Sequence, residues 1–576
     1  MNLARGLSRK NTHVLFRIFF RENNLTLSHF NFIKKVSCLK IRAQQAKQPQ
    51  AADVHALQQL IQRGQLLLAE TKTQALLVQY PHALILYNLL GVCQQGQGKN
   101  REAVYNFRKM LTIEPRIAEI HFNLGIILTQ LGDTDDAIAS YRHCLQLKPD
   151  FTTAHFNLGI VLQAQNMLHD AAIHYRKAIA LEAGFFEALA NLGTVLQHLG
   201  QLSEAEQCYR QALALHVDAC GYFNLGTVLY DQGRQTEAIP LFREAIKLNP
   251  QFADAWNSLG ETLRDQGDMP AALTCYQQAL AVQPQHNRAK YNLGEYFCLA
   301  GRMLEAMPYF ASADFADAKA RVLLCLYKTQ QFELFKQKLE QIVADKPHTS
   351  VLLASLSTHY ALNFGVQNSY GFCKNPMNYV WQSQIAELTA PNNGFLTALL
   401  HDIEHLAIAE RKQGRLYYGM QSAGNLLKRS EPSFQKLARL IRTKIVDYQK
   451  HYAESSDTLI INFPSAIEFA SSWYLRMRQG GFLTAHIHEE GWISGCVYLK
   501  LPAKNNDHEG SFAYGTDGDD YPRLHDDFQS QIIDLQVGDV VLFPSSLFHR
   551  TVPFHTDQER VCVAFDVKPA LVLSSR

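Results

Sequence analysis

From about residue 51 to 315 the apolar positions return at helical spacing, and the helical pattern itself repeats. Gly91, Gly125, Gly159, Gly193, Gly226, Gly260 and Gly294 follow one another at intervals of 34, 34, 34, 33, 34 and 34 residues. A second series, Gly98, Gly132, Gly200, Gly233, Gly267 and Gly301, keeps step with it, with Asn166 in the missing place. A third pairs alanine with an aromatic: Ala103/Phe107, Ala137/Tyr141, Ala171/Tyr175, Ala205/Tyr209, Ala238/Phe242, Ala272/Tyr276 and Ala306/Phe310. The spacing predicts a repeated helix–turn–helix unit. A small residue in the first helix lets the second pack closely, and the second glycine makes the turn. The Ala-x-x-x-aromatic pair shares one face of the second helix, and Pro115, Pro149, Pro250 and Pro284 close four of the units. Residues 53–82 and 316–347 keep the periodicity without the glycines, as degenerate capping repeats would.

Beyond the array the repeat is lost. The 365–395 segment, rich in Asn, Gly and Pro, reads as an ordered loop or connector. His405, Leu406, Ile408 and Ala409 fit one helical pattern. Leu437, Leu440, Ile441, Ile445 and Tyr448 form an apolar stripe on a second helix from Phe434 to Tyr452, entered at Glu431-Pro432. From about 457 the period changes to alternation. Candidate strands are Thr458–Phe463, Ile467–Arg478, Phe482–His488, Trp492–Leu501, Gly510–Tyr514, Ile532–Leu535, Asp539–Phe543, Arg550–Val552 and Arg560–Val567. Short strands between Gly, Asp and Pro turns predict a double-sheet jelly roll. The fold class is multidomain α + β. A basic tail spans 1–50, an all-α array 51–350, a helical bridge with sheet-covering helices 351–455, and a double-stranded β-helix 456–576.

A chain of 576 residues is too long for one core. Its formal net charge of +2 is unevenly spread. Residues 1–50 carry ten Lys/Arg against the single acid Glu22, and no basic stripe runs through the folded part, which argues against nucleic acid as the main ligand. No apolar run reaches the ~18 residues of a membrane span. The eleven cysteines include no Cys-x-x-Cys pair, and Cys93, Cys144, Cys208 and Cys275 fall at helical positions. Reduced, buried thiols in a cytoplasmic protein are the expectation. Arg5, Arg9, Lys10, Arg17 and Arg21 beside Leu15, Phe16, Ile18, Phe19 and Phe20 give the alternative of organellar targeting or a membrane-surface helix.

The candidate chemistry lies in the alternating region. His486 and His488, one residue apart, would face the same side of a strand. His549, on a distant strand, can close a facial ligand set whose opposite positions stay open, as oxygen-activating non-heme iron requires. Arg560, eleven residues further on, could hold a co-substrate carboxylate through its planar fork. His508, His525 and His555 fall in turn-rich segments and read as solvated. The acidic run Asp517-Gly518-Asp519-Asp520 reads as a solvated loop or a lid over the barrel mouth.

Two resemblances sharpen this reading. The array resembles the tetratricopeptide repeat, a 34-residue helical hairpin that stacks into a superhelix. Its Asn-Leu-Gly runs are similar to those of O-linked N-acetylglucosamine transferases, where an asparagine column grips the backbone of an extended peptide. Asn123, Asn157, Asn191, Asn224 and Asn292 hold that register here, and Ser258 interrupts it. Asn costs a helix interior roughly 0.5 kcal/mol per residue, while an amide can bind any peptide unit. The other reading is that each amide bonds a neighbouring helix within the array.

The C-terminal motifs, His486-x-His488 through Ser494-Gly495-Cys-Val-Tyr498, Gly538-Asp539 through His549, and Glu559-Arg560 through Phe565-Asp566, resemble iron(II)/2-oxoglutarate oxygenases of prolyl-hydroxylase-like type in their tetratricopeptide-fused form. The resemblance covers at least 470–567. It implies Fe(II), 2-oxoglutarate and O2, with His486 and His549 as ligands and Arg560 as the anchor of 2-oxoglutarate. Tyr498, Ser494 and Thr551 are then candidate donors to the co-substrate. The family pattern is His-x-Asp/Glu, and His488 stands where the carboxylate belongs. Either three histidines bind the metal, or His488 begins the pattern and Glu490 supplies the carboxylate; placement on one strand favours His486 with His488. The implied activity is hydroxylation of a protein or peptide held by the repeat groove. The alternatives are an interaction scaffold with a catalytically degenerate barrel, and zinc hydrolysis on three histidines, in which Arg560 has no task.

Overall fold

The computed structural model describes residues 48–315, 317–344, 348–390, 394–405, 408, 410–411, 414–422 and 425–570. The basic, presequence-like segment before residue 48 lies outside the described residues, as do Leu406 and Ala409. The chain divides into two compact units, Met1–Pro250 and Gln251–Arg576.

In the first unit the helices come in pairs. Ala51–Gln62 with Leu66–Gln79 forms the capping hairpin, and full repeats follow, such as Ala118–Leu131 with Thr134–Leu147 and Thr152–Ala164 with Leu168–Leu181. Within a hairpin the first-helix glycine meets the aromatic ring of the second helix. A Cβ on Gly125 would stand 2.7 Å from Tyr141 Cε1, and one on Gly159 would stand 2.7 Å from Tyr175 Cε1. The turn glycine takes the left-handed backbone (Gly132, φ +83°), and Asn166 takes the same conformation at φ +59°.

The second unit begins with three more hairpins: Ala253–Asp265 with Met269–Val282, Asn287–Leu299 with Met303–Ser312, and Ala318–Lys328 with Phe332–Ala344. Val351–Phe364 follows, a helix with most of its residues buried. The remainder builds an antiparallel sheet of ten strands: β1 Trp381–Gln384, β2 Glu410–Arg411, β3 Leu416–Ser422, β4 Ile467–His486, β5 Ile493–Lys500, β6 Phe512–Gly515, β7 Ser530–Ile533, β8 Asp539–Pro544, β9 Phe548–Thr551 and β10 Arg560–Pro569. The main order is β1-β8-β5-β10-β4-β9-β6-β7, with β3 also paired to β4 and β2 to β3.

One strand makes the sheet curl. The sequence predicts two strands, 467–478 and 482–488, but β4 runs through both. Gly480 (φ +77°) and Gly481 turn the expected loop into a bend inside the strand. The first half of β4 pairs with β10, Met477 opposite Arg560, and its last residue pairs with β9, His486 opposite His549. A run of five strands, β1-β8-β5-β10-β4, and a run of four, β4-β9-β6-β7, therefore share β4 and close over an interior.

Alternation sorts the side chains. Val540 and Leu542 of β8 and Val561, Val563 and Phe565 of β10 join Leu437, Ile441 and Ile445 of the helix Pro432–His451 in a core on the outer face. Val541, Phe543, Cys496, Tyr498, Cys562 and Ala564 form the inner core. The apolar stripe thus covers one face of the sheet, as its spacing predicts. Three expectations are corrected. Residues 458–463 form no strand: Asp457 accepts a hydrogen bond from the Leu459 amide at 3.1 Å and caps the short helix Thr458–Ile461. The bridge is not wholly helical, since β1, β2 and β3 join the sheet. The helix from Gly394 stops at His405 and does not continue through Ile408. Among the described residues no helix is long and apolar enough to cross a membrane.

Candidate metal centre

His486 and His549 face each other as direct cross-strand partners at the end of β4 and on β9. His488 lies two residues past the end of β4, off the strand on which it is predicted. Its backbone is fixed by an amide bond to the Ser545 carbonyl at 3.0 Å, and its ring turns back to the same spot. One ligand-capable atom from each of the three rings falls within 4.8 Å of the other two. Glu490, the alternative ligand, is exposed in the following turn and outside this group.

Each ring is oriented through its inner nitrogen. His486 Nδ1 donates to the Thr484 carbonyl at 2.7 Å, His549 Nδ1 to the Leu547 carbonyl at 3.2 Å, and His488 Nδ1 to Asp566 Oδ1 at 2.6 Å. These acceptors place the proton on Nδ1 and leave each Nε2 with a lone pair. His486 Nε2 and His488 Nε2 stand 3.2 Å apart. Two nitrogens bound at right angles to one metal, each about 2.1 Å away, are about 3.0 Å apart. Burial, with the neighbouring His488, pushes His486 down to about 3, and burial holds His549 well below the ordinary imidazole range. A proton between those rings is therefore disfavoured near neutrality, and facing lone pairs without a cation repel. The donor set fits a divalent metal.

Arg560 opens β10 on the same interior face and is 2 % exposed. Its Nε donates to the Gly510 carbonyl at 2.9 Å, one terminal nitrogen lies 3.4 Å from Cys562 Sγ, and the guanidinium sits 5.1 Å from the Tyr498 ring centroid. Among the described residues no carboxylate lies within ion-pair distance of it. A buried cation without a carboxylate partner is costly; the Cys562 thiol, lowered to about 6 by its hydrogen bond to Cys496 and by Arg560, offsets part of that cost, and the arrangement fits an anionic ligand. The Tyr498 hydroxyl is buried with no hydrogen-bond partner, which adds a second polar group without a mate. A pocket joins these groups to the three imidazoles, with Trp473, Leu483, Phe512 and Thr551 in its wall.

The structure sorts the remaining candidates. Tyr498 and Thr551 line the cavity, but Ser494 does not. Its hydroxyl donates to Asp566 Oδ1 at 2.7 Å and contacts Ser545 Oγ at 2.8 Å, so it supports the carboxylate behind His488 and is not placed as a co-substrate donor. Asp566 escaped the sequence reading, although strand periodicity places residues 560, 562, 564 and 566 on one face. The acidic run is not simply solvated: Asp519 pairs with Arg415 at 2.6 Å, its amide bonds the Ala485 carbonyl at 3.1 Å, and burial raises its carboxyl to about 6. His508 and His555 are exposed and pair with Asp534 and Glu509, while His525 bonds the Leu362 carbonyl.

Along the array, Asn123 and Asn292 are buried and Asn157, Asn191 and Asn224 half-buried. Near them, the Tyr175 hydroxyl donates to Gln163 Oε1 at 2.8 Å. Asn292 Nδ2 donates to Asn257 Oδ1 and to Glu261 Oε1, both at 2.8 Å.

Comparison with known proteins agrees with both halves of this description. Residues 471–566 match the family model described as "Putative 2OG-Fe(II) oxygenase". Residues 125–166, 185–251 and 257–321 match tetratricopeptide-repeat models. Similar solved structures include YrrB, described as a TPR protein with an unusual peptide-binding site, at 27% identity over 32% of this chain and 95% of that one, with a TM-score of 0.29. Another is the Pseudomonas aeruginosa protein pilF, at 21% identity over 39% of this chain and 97% of that one, with a TM-score of 0.31. None of the curated proteins compared matches the chain.

Proposed function

We propose, for a chain in which tetratricopeptide repeats precede a domain matching the 2OG-Fe(II) oxygenase model, that the barrel is an iron(II)- and 2-oxoglutarate-dependent dioxygenase hydroxylating a protein or peptide held along the repeats. One observation carries the reading: three imidazole lone pairs converge beside a buried guanidinium that lacks an acid. The iron and 2-oxoglutarate would supply oxygen activation, the keto acid leaving as succinate and carbon dioxide while a substrate carbon gains a hydroxyl.

The chain's own residues do the rest. His486, His488 and His549 hold the metal through Nε2, and the Thr484 and Leu547 carbonyls and Asp566 keep the rings turned towards it. Arg560 would take the far carboxylate of the keto acid in a charge-assisted pair, and the Tyr498 hydroxyl would donate to the same group. Trp473, Leu475, Leu483 and Phe512 wall the cavity and exclude water. Asn123, Asn157, Asn191 and Asn224 would present amides to a peptide backbone, whereas Asn292 spends both amide hydrogens on Asn257 and Glu261. Zinc hydrolysis uses the same imidazoles but leaves Arg560 and Tyr498 without work. A degenerate scaffold would have no reason to retain a buried cation.

The test is turnover. Purified protein should convert 2-oxoglutarate to succinate only with added ferrous iron, and His549→Ala should abolish this while the circular dichroism spectrum is unchanged. Stoichiometric zinc with no oxygen consumption would overturn the reading. Proteins captured on a His549 variant should include one that gains a single oxygen atom from the active enzyme.

A further inference from the structure

We propose that Asp566 is the positioning residue that lends the third ligand its negative charge: the carboxylate missing at position 488 stands behind the His488 ring. This rests on reading the three imidazoles as a metal site.

The three rings are not held alike. His486 and His549 each donate Nδ1–H to a neutral backbone carbonyl, whereas His488 donates to a carboxylate at 2.6 Å. Asp566 is 4 % exposed, and His488 is the one basic side chain within ion-pair distance of it among the described residues. Its other contacts are built for it. Ser494 Oγ donates to Oδ1 at 2.7 Å and Ser471 Oγ donates to Oδ2 at 2.7 Å. Ser545 Oγ stands 2.8 Å from Ser494 Oγ and holds that hydroxyl in place. Gly491 makes room for the group: a Cβ there would lie 2.4 Å from Ser545 Oγ and 3.3 Å from Asp566 Cβ. Four polar side chains from β4, β5, β10 and the turn after β8 thus converge behind one imidazole. A carboxylate on Nδ1–H raises the basicity of Nε2 and fixes the ring. The His488–Asp566 pair then brings the site one negative charge, as a His-x-Asp pattern would, one group further from the metal.

The test uses Co(II) as the probe, titrated anaerobically into the full metal-free chain and followed by calorimetry and visible absorption. Asp566→Asn keeps the shape and removes the charge; it should weaken Co(II) binding about 10–100-fold and shift the absorption bands. In a His488→Ala background the same change should cost nothing more, because Asp566 acts through that ring. Equal affinity of wild type and Asp566→Asn overturns the proposal, and so does the same loss with and without His488. Should Asp566→Asn fail to fold, Ser471→Ala replaces it, with a several-fold loss expected and no loss overturning. Failure of the wild type itself to bind Co(II) defeats the metal-site reading and this proposal with it; failure confined to the variants leaves that reading standing.

Discussion

The Arg321 guanidinium grips Glu489, the residue after His488, with one nitrogen 2.5 Å from Oε2 and another 3.3 Å from Oε1. Arg321 belongs to the helix Ala318–Lys328, in the last hairpin of the second unit, so the helical part of that unit holds the loop that carries a candidate ligand. The same guanidinium lies 3.2 Å from Glu295 Oε1 and donates to the Tyr291 hydroxyl at 3.1 Å.

Arg321→Ala should leave Glu295 and Glu489 without their cation. The expected cost is about 2–3 kcal/mol, less than for a fully buried pair because Glu489 keeps contact with water. Glu489→Gln should cost under about 1 kcal/mol, since Arg321 retains its other acids. Urea midpoints read the difference, and hydrogen exchange over 487–491 should quicken in Arg321→Ala.

Arg560→Met should have two opposite effects. Without co-substrate it should stabilise the protein by about 1–4 kcal/mol, because a buried cation with no carboxylate partner is replaced by apolar volume. With saturating 2-oxoglutarate the wild type should gain about 2.7 kcal/mol at a hundred times the dissociation constant, and the variant nothing. Thermal melts with and without the keto acid check both.

Asn292 differs from a free rung of a peptide ladder. Both its amide hydrogens have acceptors, Asn257 and Glu261. Asn292→Ala should cost about 1–2 kcal/mol by stranding those acceptors, whether or not a peptide is present. Unfolding of the peptide-free protein measures it.

A pH signature is expected from Asp231, which accepts from Gln197 Nε2 at 2.6 Å and is raised by burial to about 6 from 3.8. The folded state holds this proton more tightly than the unfolded chain does. Its contribution is therefore most favourable below about pH 4, falls as pH rises to about 6, and is constant above; the full loss is about 2–3 kcal/mol. Asp231→Asn should stabilise the protein at pH 7, leave it unchanged near pH 4, and flatten the slope between.

Much of this was legible in sequence, for reasons that particular residues show. The repeats are written locally, because Gly125 and Tyr141 must fit within one hairpin. His486, His549 and Arg560 stood out because metal-capable and carboxylate-binding side chains at strand positions are visible in sequence, and the structure brings them to one cavity. The long β4 was missed because Gly480-Gly481 reads as a turn, and only its partners β10 and β9 make it a bend. Asp566 stood in a quoted motif but not among the site residues, because its partner His488 lies on a loop that no periodicity places. Glu489 had no visible meaning without Arg321, 168 positions earlier.

Gly125 and Tyr141 also say how such a protein can change. Hole and ring sit sixteen positions apart inside each hairpin, so a hairpin travels with its own fastening. The array can lengthen or shorten by whole modules, and the reach available to a bound chain alters with it. The barrel has no such freedom, since the strand that ends in His486 stitches both of its layers.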